Sequence, residues 1–215
     1  MKSQTELQKL FQKLNTPGKI QDYLDTLPIN FEEGGETYRS PRAVLRSGQA
    51  HCFEGACFAA AALHYNHRKG GRALLLDLKT RDLKKDADHV VALFRENGLW
   101  GAISKTNHPV LRFRDPIYHT VRELALSYFH EYFIESGQKT LISFSQPFNI
   151  IAKFGSGWIE GEGELDDIAL ALDKSKHYDF YPKGQRKFIR PASPFEVRAT
   201  AVTEFNKPKN KNESR

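Results

Sequence analysis

Cys52 and His89 are the side chains whose types and positions best fit nucleophilic chemistry. Cys52 opens an alanine-rich stretch with helical character. A thiol on the first turn of a helix faces unpaired backbone N–H groups and the positive end of the helix dipole, and both favour the thiolate. His89 begins a strand-like apolar run. A helix-borne cysteine beside a strand-borne histidine is the arrangement with which a thiol attacks a carbonyl.

A polar residue that orients the histidine ring would complete such a site. The run from Leu99 to Ser104 follows the His89 run, and Asn97-Gly98 between them is the strongest short hairpin signal. Ser104 ends the second strand of this hairpin. We therefore predict that Ser104 lies beside the ring of His89.

Apolar periodicity, helix caps and glycine stops predict the elements that carry these residues. The predicted helices cover residues 5–14, 19–27, 41–48, 52–69, 118–135 and 164–174. The predicted strands cover residues 74–78, 89–95, 99–104, 141–144, 148–151 and 195–202. The stop after the Cys52 helix is assigned to Gly70-Gly71.

Small residues at helical spacing on the Cys52 helix would let it lie close against a sheet. We predict an α+β fold in which this nucleophile-bearing helix packs on an antiparallel sheet, with flanking helices. Residues 1–155 are predicted to form the core with its N-terminal helices, and residues 156–205 to form a C-terminal elaboration of helix and loop. The polar tail 206–215 is predicted to be disordered.

Three segments between residues 40 and 108 resemble the transglutaminase-like superfamily, which includes transglutaminases, peptide N-glycanases and many bacterial proteins of unassigned activity. Cys52-Phe53-Glu54-Gly55-Ala56 is similar to its nucleophile segment, in which the cysteine opens a helix. Asp88-His89-Val90 is similar to its histidine strand. Trp100 and Ser104 resemble its third segment, in which a tryptophan precedes a catalytic aspartate by four positions.

The resemblance implies a papain-like core with hydrolysis or acyl transfer of an amide at Cys52, proton transfer by His89 and no cofactor. Ser104 stands where the superfamily has the aspartate. A serine accepts a hydrogen bond from the ring but brings no charge, so it should orient the imidazole less strongly. Asn107 is the alternative, because papain-like sites use asparagine in this role. Asp115 is a further candidate if the chain folds back.

Other ligand classes fit the sequence less well. The formal net charge is +6 over 215 residues, but charges of both signs are interspersed, as on an ordinary surface. No recognisable nucleic-acid-binding motif accompanies the basic and aromatic segment 186–190. Cys52, Cys57, His64 and His67 lie along one predicted helix, so they cannot converge on a metal ion. We predict that Cys57 only packs.

The sequence has no apolar run of about 20 residues and no signal-peptide pattern. Its two cysteines fall on one helix, where a disulfide would require unwinding. We therefore expect a soluble, cytoplasmic protein whose partner is a protein, peptide or small amide substrate, without a membrane or nucleic acid. The missing aspartate keeps a second function open, a non-catalytic binding or scaffolding module of the same fold.

Overall fold

The computed structural model describes residues 4–66, 72–84 and 86–206. Within them the chain forms a seven-stranded sheet with apolar cores on both of its faces. The predicted helix stop at Gly70-Gly71, the alternative metal ligand His67 and the predicted tail beyond residue 206 lie outside the described residues.

Four helices come first in the described residues, and the strands follow with further helices between and after them. The α-helices are α1 (Glu6–Lys13), α2 (Pro17–Thr26), α3 (Pro41–Ser47), α4 (Cys52–Asn66), α5 (Val121–Leu126), α6 (Ile150–Phe154), α7 (Gly157–Glu160), α8 (Asp166–Asp173) and α9 (Pro194–Thr200). The strands are β1 (Leu74–Thr80), β2 (His89–Glu96), β3 (Leu99–Ile103), β4 (Arg114–Tyr118), β5 (Leu141–Ser145), β6 (Phe148–Asn149) and β7 (His177–Asp179). None of these helices is long and apolar enough to cross a bilayer.

The strands lie in the order β4-β3-β2-β1-β5-β7, and β6 also pairs with β1. Every pairing is antiparallel. The hairpin between β2 and β3 turns at Asn97 and Gly98, whose φ angles of 48° and 84° are the positive values that a tight two-residue hairpin needs. The predicted α+β class with an antiparallel sheet is confirmed.

The central strands are buried on both faces. On β2, Ala92 and Phe94 join the core that contains α1, α2 and α4. Val91 and Leu93 point the other way, into the core that contains residues of α5. Because successive side chains alternate between the faces of a strand, β2 separates the two cores and appears in the sequence as a continuous apolar run.

Helix α4 is buried on all sides, and its residues from Phe53 to Leu63 have at most 5% of their surface exposed. It packs on β2 and β1 on one side and against α1, α2 and α3 on the other. A helix that is apolar all round belongs in the interior, and α4 fits there because most of its side chains are small. Its first turn reaches the edge of the core, where Cys52 is half-buried.

The prediction of one helix over residues 118–135 is wrong. Helix α5 ends at Leu126, and a 3₁₀ turn follows at Phe129–Glu131. The hydroxyl of Ser127 donates to the carbonyl oxygen of Leu124 at 2.6 Å, a local bond that competes with helical continuation. The apolar side chains after the end of the helix remain in the core, because Tyr128 and Tyr132 are still buried against the sheet.

The prediction of a strand over residues 195–202 is also wrong, because this segment contains α9. Ser193 accepts a hydrogen bond from the Glu196 amide, and the Glu196 carboxylate accepts one from the Ser193 amide, which together form a capping box. Pro194 occupies the first helical position. The Ser-Pro-x-Glu pattern at residues 193–196 indicates the start of a helix, whereas the alternation of apolar residues after it suggested a strand.

Candidate active site

The thiol of Cys52 lies between two imidazole rings. It interacts with the rings of His51, the residue before it, and of His89 at the start of β2. Cys52 is the first residue of α4, so its sulfur lies at the end of the helix where backbone N–H groups lack intrahelical partners. The structure thus brings together the cysteine and the histidine that the sequence singled out.

The ring of His89 is 4% exposed and is held on several sides. Its Nε2 lies 2.7 Å from the hydroxyl of Ser104. The rings of Tyr128 and Tyr132 pack beside it, with centroids 6.4 Å and 6.5 Å away. Because Nε2 is engaged with the serine, Nδ1 is the nitrogen left for the sulfur of Cys52.

The position of Ser104 is set by a residue far away in the sequence. Ser104 is fully buried just after β3, and the side chain of Gln21 on α2 binds its backbone twice. The Ser104 amide donates to Oε1 of Gln21 at 3.0 Å, and Nε2 of Gln21 donates to the Ser104 carbonyl at 2.9 Å. Helix α2 therefore fixes the serine that contacts the histidine ring.

Asn107 and Asp115, the other two candidates for orienting the ring, are engaged or placed elsewhere. The amide of Asn107 donates to the carbonyl oxygen of Phe205 and accepts from the Phe205 amide, both at 2.8 Å. Asp115 lies on β4 and is exposed. Ser104 is the one of the three whose side chain is bonded to His89, while Asn107 holds the C-terminal segment.

His51 is a site residue that the sequence reasoning missed. Its Nε2 donates to the carbonyl oxygen of Thr37 at 2.7 Å, and carboxylate oxygens of Glu32 and Glu54 both lie 3.6 Å from the same nitrogen. His51 is also the N-cap of α4, since Gly55 donates to its carbonyl oxygen. The position of His51 directly before Cys52 is the sequence signal that could have identified it.

Glu54 is a fully buried carboxylate that organises this end of α4. It accepts hydrogen bonds from Nδ2 of Asn30 at 3.2 Å, from Oγ1 of Thr37 at 2.9 Å and from the amides of Arg39 and His51 at 3.2 Å and 3.1 Å. The bond to the His51 amide is the return half of a capping box. Glu54 thereby ties the loop at residues 30–39 to the start of α4.

The surroundings of the two cysteines give their thiols opposite character. Burial alone would raise the pKa of Cys52, but hydrogen bonding and electrostatic interaction with the rings of His51 and His89 lower it to about 5. Burial alone would lower the pKa of His51, but the bond to Cys52 and the charges of Cys52 and Glu54 raise it to about 9. For Cys57, burial raises the pKa well above its usual value. At neutral pH, Cys52 is therefore a thiolate and Cys57 a thiol.

Both histidines and Cys52 line an open cleft of about 500 Å³. Its walls come from residues 86–89, 105–111 and 131–135, and from α9 with the residue after it. The C-terminal wall is held by Asn107 and by an ion pair between Arg112 and Glu204. Residues of α9 and of the segment after it, within the range 156–205, thus help to enclose the candidate site.

Among the described residues, one acidic group has the geometry of a cation site. Oxygen atoms of Asp77, Asp88 and Asp173 lie within 4.8 Å of one another. The ammonium of Lys79 lies among them, 2.7 Å from Asp88, 3.3 Å from Asp77 and bonded to Asp173. Because this amine already supplies the positive charge, the cluster is accounted for as an ion-pair network.

Replacement of Ser104 by alanine is expected to lower the free energy of unfolding by about 1–3 kcal/mol, because Nε2 of the buried His89 ring loses its hydrogen-bond partner. Urea denaturation measures this loss. Ser47→Ala is the control, since Ser47 is exposed at the end of α3 and its change should stay within about 0.5 kcal/mol. Equal midpoints for the two variants would contradict the assigned contact.

Comparison of the sequence with known protein families and with curated proteins gives no match. The chemistry assigned to this chain therefore rests on its own residues and their geometry.

Proposed function

We propose that this protein is a thiol-dependent amide hydrolase or acyl transferase with a transglutaminase-like, papain-like core, and that Cys52 is its nucleophile. One observation carries the proposal: the sulfur of Cys52 lies at a helix N-terminus, between two imidazole rings, in the lining of an open cleft. A structural cysteine needs neither basic neighbours nor access to a cleft. The environment of Cys57 illustrates the contrast, because it is fully buried among apolar residues.

The chemistry proceeds in two halves. The thiolate of Cys52 attacks the carbonyl carbon of the amide, and the carbonyl oxygen takes the negative charge, which backbone N–H groups on the first turn of α4 stabilise. The C–N bond then breaks, and the leaving amine takes a proton from an imidazole beside the sulfur. The product of this half is a thioester on Cys52.

The second half regenerates the thiolate. Water or an amine attacks the thioester carbonyl and loses a proton to an imidazole, and the C–S bond breaks. His89 is placed for proton transfer by its contact with Cys52, and Ser104 fixes its ring. With water as acceptor the reaction is amide hydrolysis, and with an amine it is acyl transfer.

Trapping of the thioester tests this function. Incubation with p-nitrophenyl acetate at pH 7 is expected to release a burst of p-nitrophenol and to add one acetyl group to the intact protein, as measured by mass spectrometry. Cys52→Ala should show neither. Added hydroxylamine should yield the hydroxamate if an amine can act as acceptor. A protein whose Cys52 is alkylated by iodoacetamide but never acylated would instead support the binding or scaffolding module.

A further inference from the structure

We propose that His51 is a second catalytic histidine, which takes the thiol proton of Cys52, and that Glu54 supplies the carboxylate that is absent behind His89. The proton acceptor would then be the residue directly before Cys52, and not His89, the histidine that the sequence identified. The catalytic part of this assignment rests on the proposed function. The assignment of the thiol proton does not, because it concerns the resting protein.

The hydrogen bonds of His51 determine which of its nitrogens is basic. Nε2 faces the carbonyl oxygen of Thr37 at 2.7 Å, and a carbonyl oxygen only accepts, so Nε2 carries a proton. In the neutral ring Nδ1 is then the unprotonated nitrogen. Nδ1 points to the first turn of α4, where the amide of Phe53 donates to it at 3.3 Å and where the Cys52 thiol is bonded to His51.

The surroundings of the two rings favour the charged form at His51. Two carboxylates, Glu32 and Glu54, lie 3.6 Å from its Nε2, and the Glu54 side chain is fully buried. His89 is bonded instead to the neutral hydroxyl of Ser104 and packed against two tyrosine rings. An imidazolium is stabilised by nearby negative charge, so a proton that leaves the sulfur is held better by His51.

Two carboxylates line the cleft close to His89, those of Asp86 and Asp88. The Asp88 carboxylate is ion-paired with Lys79 at 2.7 Å, and the Asp86 carboxylate accepts a hydrogen bond from Thr140. Neither is hydrogen-bonded to the His89 ring, whose Nε2 contacts Ser104.

Other charged and titratable groups around the pair leave this preference in place. Arg39 lies 3.8 Å from the Glu54 carboxylate and offsets only part of its charge, because the same carboxylate also faces His51. Burial raises the pKa of the Tyr132 phenol well above its usual value, so this neighbour stays neutral. Cys57 also remains neutral for the same reason.

The proton balance gives each histidine its own half-reaction. In the resting protein the thiol proton is already on Nδ1 of His51, where it takes the place of the hydrogen bond from the Phe53 amide. When the sulfur becomes acylated, its negative charge disappears, and His51 passes the proton to the leaving amine as the C–N bond breaks. In the second half, His89 takes a proton from water as the C–S bond breaks, and this proton then returns to His51 across the regenerated thiolate.

The pH dependence of alkylation by iodoacetamide tests the assignment without any substrate. In a Cys57→Ala background, wild-type Cys52 should react with a midpoint near its pKa of about 5. His51→Gln is expected to move the midpoint up by at least about two pH units, towards the ordinary thiol value. His89→Gln should also move it upward, but by less than His51→Gln does. A larger shift for His89→Gln, or equal shifts, would overturn the proposal.

Glu54→Gln tests the positioning role of the carboxylate, because glutamine keeps one oxygen acceptor and removes the charge. Its midpoint should rise in the direction of the His51→Gln value, and an unchanged midpoint would remove Glu54 from the proposal. If Glu54 had only a structural role, its replacement by glutamine would not raise the alkylation midpoint, so this midpoint distinguishes the two roles.

A measurement on the wild-type protein keeps the proposal testable if these variants do not fold. The imidazole nitrogen resonances of His51 at pH 7 should be those of a charged ring, and alkylation of Cys52 should make them those of a neutral ring with the proton on Nε2. A neutral His51 in the unmodified protein would overturn the assignment. Because neither measurement needs acyl transfer, a failure of the proposed function and a failure of this inference give different results.

Discussion

Cys52→Ala is expected to abolish covalent labelling by a thiol-reactive amide analogue, whereas Cys57→Ala leaves most of it. The thiolate is the reactive species, and Cys52 is held in this form by two imidazoles at the opening of a cleft. Cys57 lies one turn further into α4, has none of its surface exposed, and keeps its proton because burial raises its pKa. Intact-mass spectrometry after labelling at pH 7 measures both variants.

The two variants also serve as each other's folding control. Each substitution removes one sulfur atom, and a loss of that size in the interior costs about 1 kcal/mol. Thermal unfolding should therefore show folded proteins in both cases. Equal loss of labelling in two folded variants would show that the nucleophile has been assigned to the wrong residue.

Gly55→Ala is expected to lower the free energy of unfolding by about 3 kcal/mol, at the upper end of what overpacking costs. A Cβ atom at this position would lie 2.3 Å from Cβ and 2.9 Å from Cγ of Lys105. These atoms cannot move aside easily, because the ammonium of Lys105 donates to the carbonyl oxygens of Leu24 and Leu27 at the end of α2. Denaturant unfolding measures the loss.

The same substitution should slow the labelling of Cys52, because α4 must shift away from the segment that follows β3. That segment carries Ser104, so the shift separates the sulfur from the His89 ring. Gly18→Ala is the matched control, since Gly18 lies in α2 with open space around its Cβ position and alanine favours helices by about 0.5–1 kcal/mol. If both alanine variants unfold at the same denaturant concentration, the close approach of α4 to Lys105 is not as described.

The proposed arrangement of charge does without a carboxylate beside the ring of His89. An aspartate beside a catalytic imidazole stabilises the positive charge that the ring acquires. Here the buried carboxylate of Glu54 lies beside His51 instead, on the same helical turn as the nucleophile. Ser104 then needs only to hold the ring of His89 in place, which its 2.7 Å bond does.

The sequence by itself determined the local elements that present the two central residues. The start of α4 at Cys52, the hairpin at Asn97-Gly98 and the start of β2 at His89 all depend on neighbouring residues, through caps, turn preferences and apolar periodicity. Such signals act over a few positions, so they can be read from the chain. Where local signals competed, as at α9, a capping box overruled the alternation that predicted a strand.

The tertiary structure alone decided which polar groups meet around these residues. Gln21 holds Ser104 across 83 positions, and Asn107 holds Phe205 across 98. The contact between His51 and Thr37 depends on a loop that Glu54 draws onto α4. A buried polar group must find a partner wherever the packed chain provides one, and sequence spacing does not record that choice. The sequence therefore identified the candidate nucleophile and one candidate histidine, and the fold determined the groups that surround them.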